Sequence, residues 1–507
     1  MFDGLILLAN GVTHFLTPES LFNLAWASLL GIVIGALPGL TATMGVALLV
    51  TLTYKMAPDQ AILSLMAMYV GSIYGGSRSA ILLAIPGTPA SAATTLDGFP
   101  LAKMGKAGMA MGIATTSSAL GTVVGVFFLA LIAPLLAEFA LRFQSYEFFW
   151  LALFGVIISG RLTAIDDPIK GYIAGIVGLL FAMIGMENLH AHQRFTFGIS
   201  QLGAGIDLIP AMVGAFGFAE ILTVMKRKVV PEMAQSTDRV IPRLGDITKH
   251  WWTTIRSGII GTIAGIIPGV GEDIGSWSSY AAARRASKEK ELYGKGSIEG
   301  LVAAETGNSA VIPGAMIPTL TLALPGSAAA AVLIAAMLIH GIRPGPQIMI
   351  ENPEFVYQVV GMLLLSTIAI TIYGLSLTRL LVRVLTVPRE KLMPVVFVLC
   401  VVGSFAITQR MFDVYVMIAF GLIGFILREM KYPMAPLVLG IILGDLLDVN
   451  LRRGLLITDG DPTPFFTRPI SAVLWIVIVI TIVMSIPKAN ESVANLFKRL
   501  LPQGRSG

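Results

Sequence analysis

Long apolar stretches separated by short polar turns organise the chain. In the first half they cover 21–54, 60–76, 79–96, 107–137, 146–160, 168–186 and 206–225. In the second they cover 251–283, 297–312, 314–340, 355–378, 391–407, 411–427, 433–448 and 469–486. A helix needs about 20 residues to cross a bilayer, so the pattern predicts an all-α, polytopic membrane protein. Four stretches are broken internally, at Pro38-Gly39, Pro86-Gly87, Pro268-Gly269 and Pro325-Gly326. Such a break turns a span back as a hairpin and frees backbone groups, which protein or cavity water must satisfy. Residues 4–16 read as an interfacial helix, and Thr17-Pro18-Glu19-Ser20 as the start of the next, with Pro in its first turn. Asp3 stands where a cleaved signal peptide has basic residues, which argues against one.

The halves repeat. Gly35-Ala-Leu-Pro-Gly39, with Gly45 after it, matches Gly265-Ile-Ile-Pro-Gly269 with Gly275. Gly76-Ser-Arg-Ser-Ala80 matches Gly307-Asn-Ser-Ala310 loosely. Ile85-Pro-Gly-Thr88 matches Leu324-Pro-Gly-Ser327, and Pro210-x-x-x-Gly214 with Glu220 matches Pro436-x-x-x-Gly440 with Asp445. The expected organisation is an interfacial segment (1–20), a first repeat (21–225), a basic cytoplasmic linker (226–250) on the membrane surface, a second repeat (251–450), and a C-terminal helix and tail (451–507).

Composition sharpens this reading. Only 13% of residues are charged and 55% are hydrophobic, against about 25% charged in a soluble domain. A soluble enzyme, a disordered chain and a nucleic-acid binder are thereby excluded, despite a net charge of +5. Let each broken stretch return to its own side, let every other stretch cross once, and put the N-terminus outside. Inner loops then hold 26 basic residues and outer loops 8, with Arg78 set aside, in accord with the positive-inside rule. Each repeat has two hairpins and five crossings, and an odd number makes the repeats inverted. The final helix places the C-terminus inside. Arg452-Arg453 fit poorly, falling outside beside Asp445, Asp448, Asp459 and Asp461.

Inverted repeats place a substrate site at their interface, where discontinuous helices meet. A helix starting at a tip offers unpaired N–H groups and a positive dipole end, an anion site made of backbone. Thr41, Thr43, Thr88, Gly271 and Ser327 follow the breaks and suit such a site. Outgoing helix ends expose carbonyls that suit Na⁺. The candidate substrate residues are Pro38, Gly39, Thr41, Thr43, Ser77, Arg78, Pro86, Gly87, Thr88, Pro268, Gly269, Gly271, Asn308, Ser309, Pro325, Gly326 and Ser327. Arg78 is either a bidentate grip on a carboxylate or an arginine reaching the inner interface. Glu272 and Asp273, with Asn308, read as a coupling-ion site, or as N-terminal caps of the following helix. Glu305 lies in the stretch matched to Arg78, and Glu220 and Asp445 read as capping or pairing groups. Asp97-Gly-Phe-Pro100 and Gly341-Ile-Arg-Pro-Gly-Pro346 read as rigid turns. His14, His190, His192, His250 and His340 lack metal-ligand spacing, and the single Cys400 allows no intrachain disulfide.

With these motifs in hand, the sequence resembles the large membrane subunit of the tripartite tricarboxylate transporters, the TctA family. The carriers are Gly35-Ala-Leu-Pro-Gly-Leu-Thr-Ala-Thr-Met-Gly45, Tyr74-Gly-Gly-Ser-Arg-Ser-Ala80, Ile85-Pro-Gly-Thr-Pro89, Gly265-Ile-Ile-Pro-Gly-Val-Gly271, Glu305-Thr-Gly-Asn-Ser309 and Leu324-Pro-Gly-Ser327. The resemblance implies a bacterial inner-membrane, ion-driven importer of citrate or a related carboxylate. It also implies two partners, a small TctB-type membrane subunit and a periplasmic TctC-type binding protein. No cofactor beyond Na⁺ as coupling ion is expected. A Walker A motif and HExxH are absent, and Gly269-x-Gly271 with Gly275 misses the dinucleotide spacing, which argues against an ATPase or another enzyme. The competing class is an anion channel or passive carboxylate pore, since helix ends also build selectivity filters.

Overall fold

The computed structural model describes residues 2–37, 39–164, 167–187, 191–226, 238–378, 380, 385 and 389–485. In chain order the helices are α1 (Phe2–Thr13), α2 (Pro18–Ala36), α3 (Ala42–Thr53), α4 (Pro58–Leu83), α5 (Ala92–Lys103) and α6 (Ala107–Ala140). Then come α7 (Ser145–Thr163), α8 (Pro168–Ala182) and α9 (Leu208–Lys226), the last with a π-helical stretch at Val213–Phe218. The second half holds α10 (Trp251–Ile266), α11 (Gly271–Ala286), α12 (Ile298–Leu322) and α13 (Ala328–Ile339). It ends with α14 (Pro353–Ser376), α15 (Arg389–Thr408), α16 (Met411–Glu429), α17 (Met434–Ile457) and α18 (Pro469–Val483). The only strands among the described residues are the two-residue pair β1 (Gly185–Met186) and β2 (Gln193–Arg194). Among the described residues seven helices (α2, α6, α7, α9, α14, α16 and α17) are long and apolar enough to cross a membrane. The protein is therefore an all-α, multi-pass membrane protein.

Two long helices depart from the expected segmentation. Stretch 60–76 and the first leg of 79–96 form one helix, α4, and 297–312 joins the first leg of 314–340 in α12. Gly75-Gly76 and Pro313-Gly314 do not break them, because both helices are buried on every side from Gln60 to Leu83 and from Gly300 to Leu322. Small residues there bring backbones into contact. Gly31 of α2 sits on the Met68 carbonyl, Gly35 on that of Ser72, and Gly75 on that of Ile32. In the second half Gly261 of α10 sits on the Gly307 carbonyl, Gly265 on that of Val311, and Gly314 on that of Thr262. A methyl group at Gly31 would stand 2.6 Å from the Met68 oxygen, and one at Gly314 2.5 Å from the Thr262 oxygen.

These contacts correct the repeat register. Met68 and Gly307, Ser72 and Val311, and Gly75 and Gly314 play the same packing roles, and each pair is 239 positions apart. Both helices also stop on a left-handed alanine, Ala84 (φ 55°) and Ala323 (φ 54°), at the same spacing. The match of Gly76–Ala80 with Gly307–Ala310 is therefore a slip between runs of similar small residues. The counterpart of Arg78 is Ile317, and that of Asn308 is Tyr69.

The described residues divide into two compact units, Met1–Arg142 with Ile206–Met430, and Phe143–Gly205 with Lys431–Gly507. In the first, α1 packs on α14 through Gly11 and Gly361, α4 and α12 form the interior, and α9 packs against α15 and α16. In the second, α17 packs against α7 and α8. The repeated Pro-x-x-x-Gly motif does one job in both: Gly214 of α9 meets Gly421 of α16, and Gly440 of α17 meets Gly175 and Gly178 of α8.

At one end of the second unit, buried Glu147 accepts from Arg468 Nε (2.8 Å) and Ser471 Oγ (2.8 Å), and the Trp150 indole donates to the Phe465 carbonyl (2.6 Å). Arg452, the expected misfit, lies at this end too, held by Glu187 (3.0 Å) and Asp448 (3.0 Å), while Arg194 grips Asp448 through both terminal nitrogens. Arg194, Arg452 and Arg468 are thus neutralised in place. At the other end Arg161 donates to the Thr481 carbonyl (3.3 Å) and Lys170 lies over Tyr432.

Candidate substrate site at the Pro-Gly breaks

Each half brings its two breaks together. In the first half the chain leaves α2 at Leu37, passes Gly39 (φ 99°), and enters α3 with Thr41 as N-cap, whose hydroxyl accepts from Met44 N–H (3.2 Å). Pro38 lies outside the described residues. After Ala84 the chain doubles back, so that Gly87 N–H donates to the Gly76 carbonyl (3.3 Å) and Gly87 rests on the Gly35 carbonyl. Any side chain at Gly87 would strike that oxygen. Thr88 N–H then donates to Ser91 Oγ (3.3 Å), and Ser91 Oγ–H returns to the Thr88 carbonyl (2.8 Å).

The second half repeats the arrangement. Gly326 rests on the Gly265 carbonyl. Gly269 N–H donates to the Pro325 carbonyl (3.3 Å) and Gly271 N–H to that of Gly326 (3.3 Å). Both glycines are left-handed, at φ 74° and 75°, a conformation that side chains oppose. Ser327 caps α13, accepting from Ala330 N–H (3.2 Å). Tyr69 arrives from the first half, its hydroxyl contacting Ser327 Oγ (2.7 Å) and the Glu272 carboxylate. Glu272 and Asp273 occupy the first turn of α11, where negative charge suits the helix dipole.

Other expected residues have different surroundings. Arg78 is 1% exposed, so it does not reach an interface. Its guanidinium donates to α6, at the Met111 carbonyl (3.3 Å) and Thr115 Oγ1 (2.5 Å), and lies over the Tyr74 ring. Its two terminal nitrogens thus go to α6, while its Nε has no partner among the described residues. Ser77 Oγ donates to the Tyr74 carbonyl (2.7 Å), and Thr43 is buried in α3. Glu305 is fully buried and accepts from Thr94 of α5 and Ser118 of α6 (2.7 Å). Asn308 Oδ1 accepts from Ser309 Oγ (2.8 Å), and its Nδ2 has no partner among the described residues. Glu220 pairs with Arg428 and borders Gly39.

Asp97-Gly-Phe-Pro100 is not a turn; it lies inside α5. Pro100 stands in its last turn, near the helix end at Lys103, and lacks the N–H that would bond the carbonyl four residues back. Asp97 is fully buried, and its Oδ1 accepts from the N–H groups of Gly294 (2.8 Å), Gly296 (2.9 Å) and Ser297 (2.8 Å), while Oδ2 accepts from Tyr280 (2.9 Å). A first-half carboxylate thus clamps the α11–α12 loop. Sequence reasoning missed Tyr69, Thr94 and Ser118, since a lone hydroxyl in an apolar helix carries no spacing signal. An acidic residue inside the apolar stretch before Lys103 was the available sign for Asp97.

This geometry can be set beside known proteins. The sequence profile of the tripartite tricarboxylate transporter TctA family matches residues 21–439. The chain belongs to that family. It is also 35% identical over 503 residues to a protein of Agrobacterium vitis described as an uncharacterized 52.8 kDa protein in the TAR-I ttuC' 3'region, covering 97% of this chain and 99% of the relative. A second Agrobacterium vitis protein, described as uncharacterized and in the TAR-II ttuC' 3'region, is 35% identical over 214 residues, 42% of this chain and 88% of that relative. As a TctA-family protein, the chain is the large membrane subunit of a transporter of the tripartite tricarboxylate type. Both break regions lie within the matched residues.

Proposed function

We propose that this protein imports an organic carboxylate, citrate-like or another acid, as a secondary active transporter driven by Na⁺ or H⁺. It works with a small TctB-type membrane subunit and receives cargo from a periplasmic TctC-type binding protein. Its setting is the bacterial inner membrane, with the N-terminus periplasmic and the C-terminus cytoplasmic. The halves act as inverted repeats, and the breaks with their neighbouring helices move as a unit in an elevator-type cycle. One observation carries the reading. In each half the second Pro-Gly break rests on the last turn of the helix that leads into the first, Gly87 on the Gly35 carbonyl and Gly326 on that of Gly265. Interrupted helices buried in protein are how transporters bind ions without a polar surface. Glu272 and Asp273, beside one such break, are the candidate groups for the coupling ion.

The test is uptake by proteoliposomes containing the membrane subunits, across a panel of labelled carboxylates. Each is assayed with and without Na⁺, a proton gradient and the binding protein. Saturable uptake that requires an ion gradient and the binding protein supports import. Flux that only equilibrates would instead support a passive pore.

A further inference from the structure

The two break regions are built alike but finished differently. At the second, Gly269 and Gly271 spend their N–H groups on the Pro325 and Gly326 carbonyls, and Tyr69 fills the space beside Ser327. Pro268, Gly269, Pro325, Gly326 and Ser327 are all buried. At the first, no corresponding hydrogen bonds join Gly39 or Thr41 to Pro86 or Gly87 among the described residues. Gly39, Thr41 and Pro86 are only half-buried, and Pro89 is exposed.

The register of 239 gives the chemical contrast. Thr88 is the counterpart of Ser327, and Asn308 that of Tyr69. In the second half the pair is joined, Tyr69 to Ser327 at 2.7 Å. In the first half both side chains are left over. Thr88 Oγ1–H and Asn308 Nδ2 donate to no acceptor among the described residues, although Thr88 is 2% exposed and Asn308 fully buried. Helices α5 and α12 pass each other antiparallel, Gly300 lying against Asp97 and Glu305 accepting from Thr94. One further turn along each brings Asn308 level with the segment 88–91. Tyrosine exceeds asparagine in length by most of a ring, so the position that Tyr69 plugs in the second half is left short in the first. Two buried donors without acceptors are costly, at about 1–3 kcal/mol each, unless something else accepts from them. Both are neutral donors, so what they fit is an acceptor group, and on the import reading that group is a carboxylate.

We propose that the two breaks have diverged and that the cargo carboxylate docks at the first-half break, on Thr88 Oγ1 and Asn308 Nδ2, while Tyr69 closes the equivalent position in the second half. This rests on the import reading and narrows it. The carboxylate subsite is one-sided, and Ser327, Gly269 and Gly271 serve as its closed counterpart.

The experiment uses the chain with its membrane partner in proteoliposomes, the binding protein, and citrate and succinate as probes. Thr88→Val keeps the shape and removes the hydroxyl, and Thr88→Ser restores it. Asn308→Asp keeps the oxygen that Ser309 donates to and removes only the amide donor. A structural role for Asn308 would survive that change, whereas an anion contact would not. Thr88→Val and Asn308→Asp are expected to raise KM about 10-fold or more, the loss of one hydrogen bond to a charged group, with Thr88→Ser close to wild type. Citrate or succinate should also raise the thermal midpoint of detergent-solubilised wild type and not that of Thr88→Val. If Thr88→Val transports with wild-type KM and keeps the ligand-induced shift, the one-sided subsite is overturned even where Asn308→Asp fails to fold. Failure of wild type to take up either probe or any other acid of the carboxylate panel speaks instead against the import reading, and is read on wild type alone.

Discussion

Asp97→Ala removes one carboxylate and leaves four donors without an acceptor. Three are backbone N–H groups of Gly294, Gly296 and Ser297 at 2.8–2.9 Å, and the fourth is the Tyr280 hydroxyl at 2.9 Å. Asp97 is 0% exposed, so water does not replace it without movement. An unsatisfied buried donor costs about 1–3 kcal/mol. The loop can relax and rehydrate some of the four, which brings the expected total to about 3–5 kcal/mol. Asp97→Asn keeps an oxygen for the three N–H groups but loses the charge that strengthens each bond, and about 1–2 kcal/mol is expected. The assay is thermal unfolding of the detergent-solubilised protein, with limited trypsin cleavage in parallel. Lys288, Lys290 and Lys295 lie on the clamped loop and should be cut faster as the clamp weakens, in the order wild type, Asn, Ala. If Asp97→Ala unfolds at the wild-type temperature and is cut at the wild-type rate, the clamp contributes nothing and the argument fails.

Other perturbations test separate parts of the structure. Arg468→Ala removes the charge partner of the fully buried Glu147, which keeps Ser471 and the Gln144 N–H as donors, and should destabilise by about 1–3 kcal/mol; Glu147→Gln made in addition should recover much of the loss in a thermal-unfolding double-mutant cycle. Gly87→Val drives a branched side chain into the Gly35 carbonyl and should abolish uptake and lower the yield of folded protein, measured by size-exclusion profile. Tyr69→Phe removes the contacts to Ser327 and Glu272 and should lower the thermal midpoint, by about 1–3 kcal/mol of stability. In a Cys400→Ser background, a cysteine placed at 290 should label only from the cytoplasmic side; labelling from the periplasm would refute the hairpin reading of α10 and α11.

How much of this was legible in the sequence depends on the kind of signal. The Pro-Gly breaks were readable because proline and glycine act on the backbone directly, and all four mark the ends of helices. The end of α4 was not, since Gly75-Gly76 looks like a break and functions as a packing face against Ile32. The repeat was visible, with offsets of 230 at the first break and 239 at the second, but the stretch between them was matched at the wrong offset because small residues recur too often to align by eye. Packing settles it, as only one register puts Gly75 and Gly314 on the same carbonyl contact. In this register Asn308 is the counterpart of Tyr69 and no longer falls opposite the stretch Gly76–Ala80. Arg78 was found as a buried charge, yet its direction, toward α6, depends on tertiary neighbours that no spacing encodes. The 226–250 linker was expected on the membrane surface. Residues 227–237 lie outside the described region, and beyond them Asp238 caps α6 through Gly108 and Met109 N–H.

The central claim is gradient-driven import of a carboxylate by a TctA-family subunit. It is tested most directly by loading proteoliposomes of the complex with buffer, supplying labelled citrate and its binding protein outside, and imposing an inward Na⁺ or proton gradient. The account predicts an internal citrate concentration that rises above the external one and collapses when the gradient is dissipated. Internal citrate that merely levels with the outside, whatever the gradient, would contradict it.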